Sequence, residues 1–407
     1  MSTIVIVGGG LAGAKAAEAL RDQDSPDEVI LFGSEIYLPY ERPPLSKDFL
    51  AGDKKLDDFT VHDESWYRNQ NVEFRPGTEI RSVDAKAKTV TLPDGSTQSY
   101  DKLLLATGSS SRHLDIPGAD AAGVHYLRSI DDAESLSDAI GDGKRLAILG
   151  GGWIGLEVAA SARQRGAQVT VVERSALPLQ RVLGSDVAEI FAKLHREHGV
   201  DLRTEVDVKE ITTSDGVATG LLLGDGSTVE ADAVLVAAGA VPNLALAESA
   251  GLDIDGGGVL VSAALQSSDP DIYVAGDIAN AEHPVLKRRV RTEHWANALN
   301  QPAVAVTNML GDKAEYTNLP YFFTDQYDLG MEYAGLADSD ATVVFRGDVD
   351  KREFLAFWLD AEHRVQAGMQ VNIWDQLDAI KALITARVPV DPSKLTDPDV
   401  ALDSLVN

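Results

Sequence analysis

Short apolar runs followed by clusters of glycine occur twice along the chain. Thr3–Val7 and residues 146–149 have the length and the continuous apolar character of buried strands. A G-x-G-x-x-G cluster follows each run, then a segment with helical periodicity (11–20 and 156–165), then a second apolar run (29–32 and Gln168–Val172). The sequence therefore predicts two βαβ units with parallel strands.

The glycine clusters have the spacing of a dinucleotide fingerprint. The first glycine allows a tight turn, the second lets backbone amides reach a pyrophosphate, and the third lets the helix pack closely on the strand. The residues are Gly8, Gly10, Ala12 and Gly13 in the first unit and Gly150, Gly152 and Gly155 in the second. Glu173 ends the second unit where a ribose hydroxyl would lie. Two dinucleotide sites in one chain indicate electron transfer between two cofactors.

Apolar strands further along the chain also end in small residues. Asp-Gly-Ser turns at 94–96 and 225–227 lead into the runs 103–108 and 234–239, and another buried run ends at 276–277. Each ending is either a simple exit from a strand or a place where the backbone approaches a ligand. The candidate residues at these ends are Ala106, Thr107, Gly108, Gly239, Gly276 and Asp277.

These patterns predict an α/β fold with two Rossmann-like dinucleotide-binding domains on a glutathione-reductase-like plan, followed by a C-terminal α+β domain. We expect a first dinucleotide-binding domain at 1–112 and 240–315, a second at 113–239, and the C-terminal domain at 316–407, where aromatic and β-branched runs replace the nucleotide motifs. In that last region the aromatic residues are expected mainly in the core.

Composition removes several classes of function. The 407 residues contain no cysteine, which excludes thiolate-ligated iron–sulfur clusters and disulfide chemistry within this chain. The formal net charge of −28 argues against nucleic acid or an anionic membrane as a partner. Apolar runs stay well short of the roughly 18 residues that a membrane span needs. A strand that begins at Thr3 leaves no room for a signal peptide, so we expect a cytoplasmic protein.

A few charged residues stand out against this acidic background. Arg42 and Lys47 lie in a proline-stiffened segment and are either simple surface charges or side chains held on a rigid support. Glu157 follows Gly155 and is expected to be buried near the nucleotide turn, or paired, or to complement the helix dipole. His195 and His198 have helical spacing, but nothing distinguishes them from surface histidines, and we predict no metal site.

With these residues in view, the chain resembles the flavin-dependent NADH:ferredoxin reductases of bacterial dioxygenase and cytochrome mono-oxygenase systems, a group similar to apoptosis-inducing factor. The resemblance covers nearly the whole length. It is carried by GGGLAG at 8–13, YERPPLSK at 40–47, LATG at 105–108, YLRS at 126–129, GGGWIGLEVA at 150–159, VAGD at 274–277, EHWANA at 293–298 and FFTDQY at 322–327.

The resemblance implies FAD on the first fingerprint and a nicotinamide cofactor on the second. Around FAD it implies roles for Ser34, Glu35, Arg42, Lys47, Ile80, Arg128, Asp277, Glu293, His294 and Trp295, with Glu35 near the adenosine ribose and Trp295 against the flavin ring. Ser34 stands where the family often carries an acid, and Tyr321 and Phe323 where it often carries tryptophans. Around the nicotinamide it implies Ile154 and Glu157, and it makes Lys47 and Glu157 a catalytic ion pair beside the flavin. A cation there stabilises the electron density of reduced flavin.

Charged side chains bear on the choice of nicotinamide cofactor and on where a protein partner could bind. Glu173 favours the free 2′-hydroxyl of NADH and repels a 2′-phosphate, while Arg174 leaves NADPH as the less favoured alternative. The resemblance implies a separate, small acidic ferredoxin as electron acceptor. The basic run Lys287, Arg288, Arg289 and Arg291 either docks that partner or pairs with local carboxylates.

Three alternatives to ferredoxin reduction stay open. The acceptor could be rubredoxin or a small molecule such as a quinone, monodehydroascorbate or oxygen, or the chain could be a redox-gated scaffold like apoptosis-inducing factor. The sequence leaves a monomer and a homodimer equally open.

Overall fold

The chain folds into two units, and each contains one glycine fingerprint. The structure is a computed structural model that describes residues 2–406. The first unit comprises the residues up to 41 together with 56–110 and 241–320, and the second comprises 42–55, 111–240 and the residues from 321 onward. The finer division into three domains at the boundaries given above stays a prediction.

The first unit is built on a five-stranded sheet in which every neighbouring pair is parallel. Its order is Ile272–Val274, Lys102–Leu105, Thr3–Val7, Glu28–Phe32 and Val72–Arg75. The strands are almost wholly buried, as expected for a parallel sheet covered on both faces. Helices Leu11–Asp22 and Trp295–Met309 pack against each other beside it.

Smaller elements complete the first unit. An antiparallel sheet contains Ser82–Asp84, Thr89–Thr91 and Thr97–Ser99, and a four-stranded sheet contains Ile254–Asp255, Gly258–Val261, Ala279–His283 and Arg288–Val290. Short helices occupy Leu56–Phe59, Glu64–Asn69 and Ala245–Ser249. Two short strands, Ser109–Ser111 and Ala240–Pro242, lie where the chain passes from one unit to the other.

The second unit repeats the plan of the first. Its parallel sheet has the order Val124–His125, Ala233–Val236, Arg145–Leu149, Gln168–Val172 and Asp201–Arg203, so that the fingerprint strand is again central. An antiparallel excursion again precedes the return strand, here formed by Val208–Ser214, Val217–Leu223 and Thr228–Glu230. The helices are Pro43–Ser46, Asp48–Ala51, Ile130–Ala139, Trp153–Gln164, Gln180–Leu183 and Ser185–Glu197.

A C-terminal antiparallel sheet belongs to the same unit. Its order is Tyr321–Gln326, Leu329–Gly335, Val365–Val371, Glu353–Leu359 and Thr342–Asp348, followed by helices Leu377–Ala386, Pro392–Thr396 and Leu402–Leu405. Buried residues of this sheet share one apolar core with helix Ser185–Glu197, where Phe191 and Leu194 meet Met331 and Phe354. The predicted fold class, with two Rossmann-like cores and a C-terminal α+β region, is confirmed.

Two predicted elements were wrong in their bounds. The run of apolar and polar residues at 72–83 predicts one strand of a hairpin, but Val72–Arg75 is the edge strand of the parallel sheet and the hairpin begins at Ser82–Asp84. Pro76 and a left-handed Gly77 (φ +61°) separate the two. The apolar segment 374–386 predicts a helix, but the helix begins at Leu377, because Asp375 has a left-handed backbone (φ +66°) that cannot continue a helix.

The glycines of each fingerprint have separate structural tasks. A Cβ atom at Gly13 would lie 2.0 Å from the carbonyl oxygen of Gly8, and one at Gly155 would lie 2.1 Å from that of Gly150. A Cβ atom at Gly10 or Gly152 would meet nothing within 4 Å. The third glycine is therefore needed for folding, whereas the second leaves space in front of the helix.

We expect Gly155→Ala to lower the free energy of unfolding by about 1–3 kcal/mol, because the new methyl group overpacks a backbone contact. The measurement is thermal unfolding of the full chain followed by circular dichroism. Gly152→Ala is the matched control from the same turn and should unfold like the parent protein. Equal melting temperatures for both variants would show that the close approach at Gly155 is not required.

Candidate active site

The first fingerprint forms an open cradle at the start of a helix. Gly8 has φ +131°, and a Cβ there would be 2.1 Å from the carbonyl oxygen of Ala106, so only glycine fits. Helix Leu11–Asp22 begins after Gly10, and no side chain caps its N-terminus within the described part of the chain. Ala12 is buried behind the turn. The free helix amides and the open space at Gly10 fit the diphosphate of a dinucleotide such as FAD.

The other residues predicted to contact a cofactor in the first unit lie beyond the ends of its strands. Glu35 lies beyond the second strand and accepts a 2.5 Å hydrogen bond from the Tyr40 hydroxyl, while Ser34 is exposed and Ile80 is buried. Thr107 and Asn243 hold each other through two hydrogen bonds, Thr107 Oγ1 to the Asn243 carbonyl at 2.8 Å and Asn243 Nδ2 to the Thr107 carbonyl at 2.9 Å. These two hydrogen bonds fix the turn of small residues at 106–108.

Asp277 and the segment 293–295 lie in the same unit. The Gly276 amide donates to Gln301 Oε1 at 2.7 Å, which fixes the turn that presents the buried Asp277. Burial lowers the pKa of His294 to about 4, and Asp277 partly opposes that shift. Trp295 Nε1 donates to Glu41 Oε2 at 3.1 Å. Glu293 instead pairs with Arg291 at 2.7 Å.

The second fingerprint is equally open. Gly150 has φ +109°, Gly239 has φ +100°, and no protein atom lies within 4 Å of a Cβ built at Gly152 or Gly239. The Glu173 carboxylate accepts hydrogen bonds from the amides of Gly151 (2.8 Å) and Ser175 (2.7 Å), which orient it at the end of its strand. Ile154, on the first turn of the helix, leaves 42% of its surface exposed.

Lys47 and Glu157 form an ion pair inside the second unit. The Lys47 ammonium lies 2.8 Å from Glu157 Oε1, and the two side chains expose only 12% and 4% of their surface. Lys47 directly follows the short helix Pro43–Ser46, and the fingerprint helix carries Glu157. Of the two alternatives that the sequence leaves open for Lys47, the structure shows the held side chain and not the surface charge. Lys47 also stands over the Phe323 ring, 5.3 Å from its centroid. Arg42, in the same segment, donates to the backbone carbonyl of Arg128.

Further buried groups surround the carboxylate of Glu157. Ser46 Oγ donates to Oε2 at 2.5 Å and Thr324 Oγ1 donates to Oε1 at 2.6 Å. Gln326 and then His195 lie behind Thr324, farther from the ion pair. All three side chains are nearly inaccessible to solvent. Sequence reasoning missed Ser46, Thr324 and Gln326. Strand alternation across 321–326 could have placed Thr324 and Gln326 on one face, but only the fold shows that this face meets Glu157.

His195 corrects an expectation. Nothing in the sequence distinguishes it from a surface histidine, but it is fully buried on helix Ser185–Glu197. Its Nε2 lies 2.8 Å from Gln326 Oε1, and burial lowers its pKa to about 4 despite that hydrogen bond. His198 stacks on Tyr327 with ring centroids 3.7 Å apart. No cluster of three metal-ligating side chains occurs among residues 2–406.

The basic run at 287–291 is partly neutralised. Arg289 pairs with Glu282 at 2.8 Å and donates to the carbonyls of Val261 and Asn280, while Arg291 pairs with Glu293. Arg288 lies exposed at the strand edge, and Lys287 occupies the turn before it. Arg174, which bears on the choice of nicotinamide cofactor, is 74% exposed and held by Asp207 at 2.6 Å. Within the described residues, no helix is long and apolar enough to cross a bilayer.

Comparison with known proteins defines the class. Residues 2–301 match the family described as pyridine nucleotide-disulphide oxidoreductase, and residues 321–406 match the family described as reductase C-terminal. The chain therefore belongs to the pyridine nucleotide-disulphide oxidoreductases, in a form that carries the reductase C-terminal region. Because it has no cysteine, it lacks the thiols of the disulphide chemistry in the family's name.

Full-length relatives narrow this class. The chain is 40% identical over 402 residues to the ferredoxin–NAD(+) reductase component of the anthranilate 1,2-dioxygenase system of Burkholderia cepacia, covering 99% of this chain and 98% of the relative. It is 35% identical over 408 residues to putidaredoxin reductase of Pseudomonas putida, covering 99% and 96%. A crystal structure of the covalent putidaredoxin reductase–putidaredoxin complex matches with a TM-score of 0.95 at 34% identity, covering 100% and 98%. These matches confirm the family that the sequence motifs indicated.

The pH dependence of stability and the titration of His195 test whether this histidine is buried as the structure shows. Because the pKa of His195 is about 4 in the folded chain and 6.5 without the fold, its contribution to stability is present above pH 6.5 and is lost as the pH falls toward 4. The expected loss between neutral pH and about pH 5 is about 2 kcal/mol. Nitrogen NMR of histidine-labelled protein, assigned with His195→Gln, should show a neutral imidazole protonated on Nε2 down to about pH 5. Titration near 6.5 would contradict the buried environment.

Proposed function

We propose that this protein transfers electrons from NADH through FAD to a separate small iron–sulfur ferredoxin that serves an oxygenase. The observation that carries the proposal is the duplicated open fingerprint, together with the buried Lys47–Glu157 pair in the second unit. The relatives are named as ferredoxin reductase components of oxygenase systems, which gives the reaction class. When bound, FAD supplies the change from a two-electron hydride donor to a one-electron acceptor.

The chain's own residues bind and orient the two dinucleotides. The helix amides after Gly10 and Gly152 hold the two diphosphates, and the acids Glu35 and Glu173 hold the adenosine riboses. The turns at 106–108 and 276–277 bring backbone and the Asp277 carboxylate to the FAD. We assign Arg42, Ile80, Arg128, His294 and Trp295 to FAD and Ile154 to the nicotinamide cofactor, as the family resemblance implies. We also assign Gly239 to the nicotinamide cofactor, because it follows the return strand of the second unit.

We propose that Lys47 is the catalytic cation at the flavin ring and that Glu157 orients it. An ammonium group with little exposure is a strong local charge, because the surrounding protein screens it less than water does. Glu157 receives three donors and keeps Lys47 in one position. In this account the pair stabilises negative charge as hydride arrives and transfers no proton itself.

NADH is the proposed donor. The Glu173 carboxylate is already oriented by two backbone amides, so it accepts a 2′-hydroxyl and repels a 2′-phosphate. Arg174 is the residue that could bind a 2′-phosphate, but its ion pair with Asp207 competes for that charge. NADPH is therefore the weaker donor in this proposal.

If the acceptor is an iron–sulfur protein, its cluster must be held in another polypeptide, since this chain has no cysteine to ligate one. We propose that the basic run Lys287, Arg288, Arg289 and Arg291 attracts an acidic ferredoxin, because Lys287 and Arg288 are exposed in a chain whose formal net charge is −28. Rubredoxin, small acceptors and a scaffold role remain alternatives to be separated by assay with purified acceptors. No contact in the structure favours any of them.

The role of the ion pair is tested with Lys47→Met. In the FAD-loaded protein, we expect the rate of flavin reduction at saturating NADH to fall about a hundredfold, because a preorganised charge is lost. Glu157→Gln should reduce it about tenfold, since the cation stays but is held less firmly. Stopped-flow absorbance without oxygen measures both.

Lys54→Met is the matched control for the ion pair. Lys54 lies in the same segment and pairs with Asp48 at 2.7 Å, but it is nearly half exposed. It should leave the rate unchanged. A Lys47→Met protein that is reduced as fast as the control would refute the assignment.

The docking surface is tested by reversing two charges, Lys287→Glu with Arg288→Glu. We expect the second-order rate constant for reduction of an acidic ferredoxin to fall about tenfold at low ionic strength, with a weaker salt dependence. Lys351→Glu, which changes an exposed lysine in the turn between two strands of the C-terminal sheet, is the control. An unchanged rate constant and salt dependence would remove this surface from the proposal.

A further inference from the structure

A row of buried polar side chains leads inward from the ion pair. Thr324 Oγ1 lies 2.6 Å from Glu157 Oε1, Gln326 Nε2 lies 3.2 Å from Thr324 Oγ1, and His195 Nε2 lies 2.8 Å from Gln326 Oε1. Thr324 and His195 are completely inaccessible to solvent and Gln326 exposes 1%. We call Thr324, Gln326 and His195 the inner chain. All of its members and the ion pair belong to the second unit.

The direction of every hydrogen bond in the inner chain is fixed by the first. An ionised Glu157 can only accept, so the Thr324 hydroxyl must donate to it, and the free lone pairs of that hydroxyl then accept from the Gln326 amide nitrogen. This orientation turns Gln326 Oε1 toward His195, whose Nε2 must therefore carry the proton. Burial keeps His195 neutral at physiological pH, which matches this tautomer. The donors all point toward the carboxylate.

The inner chain and Lys47 meet at the same atom. Glu157 Oε1 accepts from both Thr324 (2.6 Å) and Lys47 (2.8 Å), whereas Oε2 is held by Ser46 at 2.5 Å. Loss of the Thr324 hydroxyl would allow Oε1 to shift. Because Oε1 is also the ion-pair partner of Lys47, this shift would directly disturb the position of the ammonium group. Consecutive hydrogen bonds in a dry interior also polarise one another, so the far end of the inner chain strengthens the near end.

The apolar surroundings do not require polar side chains at these three positions. Phe191 and Leu194, on the helix that carries His195, belong to one apolar core with residues of the C-terminal sheet. Apolar side chains of similar size would fill these positions without any need for partners, and a buried polar group that loses its partner is destabilising. Three such groups in succession are stable only as a fully connected set.

We propose that Thr324, Gln326 and His195 are positioning residues that fix Lys47 through the shared Glu157 oxygen and thereby set the rate of hydride transfer from NADH. This inference rests on the proposed role of Lys47. The inner chain orients but does not conduct protons, because the Gln326 amide has no acid or base function that could pass a proton between His195 and Thr324.

The test uses two substitutions of one residue in the full-length, FAD-loaded protein. Thr324→Val removes the hydroxyl and keeps the shape, whereas Thr324→Ser keeps the hydroxyl. We expect Thr324→Val to slow flavin reduction at saturating NADH about tenfold with little change in NADH affinity, and Thr324→Ser to stay within about twofold of the parent. His195→Phe tests the far end and should slow the step about threefold.

A second readout is independent of turnover. Nitrogen NMR of lysine-labelled, oxidised protein should show an ordered Lys47 ammonium resonance, assigned with Lys47→Met. That resonance should shift or broaden in Thr324→Val and His195→Phe but not in Thr324→Ser. Val187→Ala, a core change on the His195-bearing helix, is the control for general loosening and should leave the resonance and the rate constant unchanged.

The outcomes separate this inference from the proposed function. If Lys47→Met slows reduction but Thr324→Val and His195→Phe behave like Thr324→Ser in both readouts, the inner chain has no positioning role. If Lys47→Met itself has no effect, the assigned role of the ion pair fails first. If Thr324→Val does not fold, His195→Phe against Val187→Ala decides by the same two measurements.

Discussion

The buried polar site of the second unit depends on the contacts of the Glu157 carboxylate. A carboxylate with 4% exposure is stable in a protein interior only when its lone pairs are satisfied, and here an ammonium group and two hydroxyls satisfy them. The donors come from two separate parts of the chain, the segment 43–47 and the first strand of the C-terminal sheet, and the fingerprint helix supplies the acceptor. One buried charge thus ties the nucleotide-binding core to the C-terminal region and holds Lys47 in one place.

The backbone imposes a matching constraint at both nucleotide turns. The third glycine of each fingerprint must stay a glycine because a carbonyl oxygen lies about 2 Å from where its Cβ would be, and the second borders open space. The same turn therefore closes the fold on one side and leaves helix amides accessible on the other. Duplication of this turn, with the same strand order around it, gives one chain two dinucleotide sites. A two-cofactor redox function follows from that architecture more directly than from any single side chain.

Much of this was predictable from local sequence. The fingerprint strands, the helices behind them and the Asp-Gly-Ser excursions follow from periodicity and glycine spacing, and the Lys47–Glu157 pair was implied by the family motifs and is present at 2.8 Å. What was not predictable depends on contacts between distant segments. His195 looked like a surface histidine because its burial comes from a sheet more than a hundred residues away. Thr324 lies within the motif at 322–327, but the sequence does not indicate its partner, which becomes evident only when the C-terminal strand meets the fingerprint helix.

The central claim is that Glu157 remains a fixed anion that orients Lys47 while hydride is transferred. Infrared difference spectroscopy between oxidised and NADH-reduced FAD-loaded protein tests this most directly, with Glu157→Gln to assign the bands. The account predicts that carboxylate bands of Glu157 shift in position but that no carboxylic acid band of this residue appears on reduction. A carboxylic acid band that is absent from Glu157→Gln would show that Glu157 takes up a proton, and it would contradict the account.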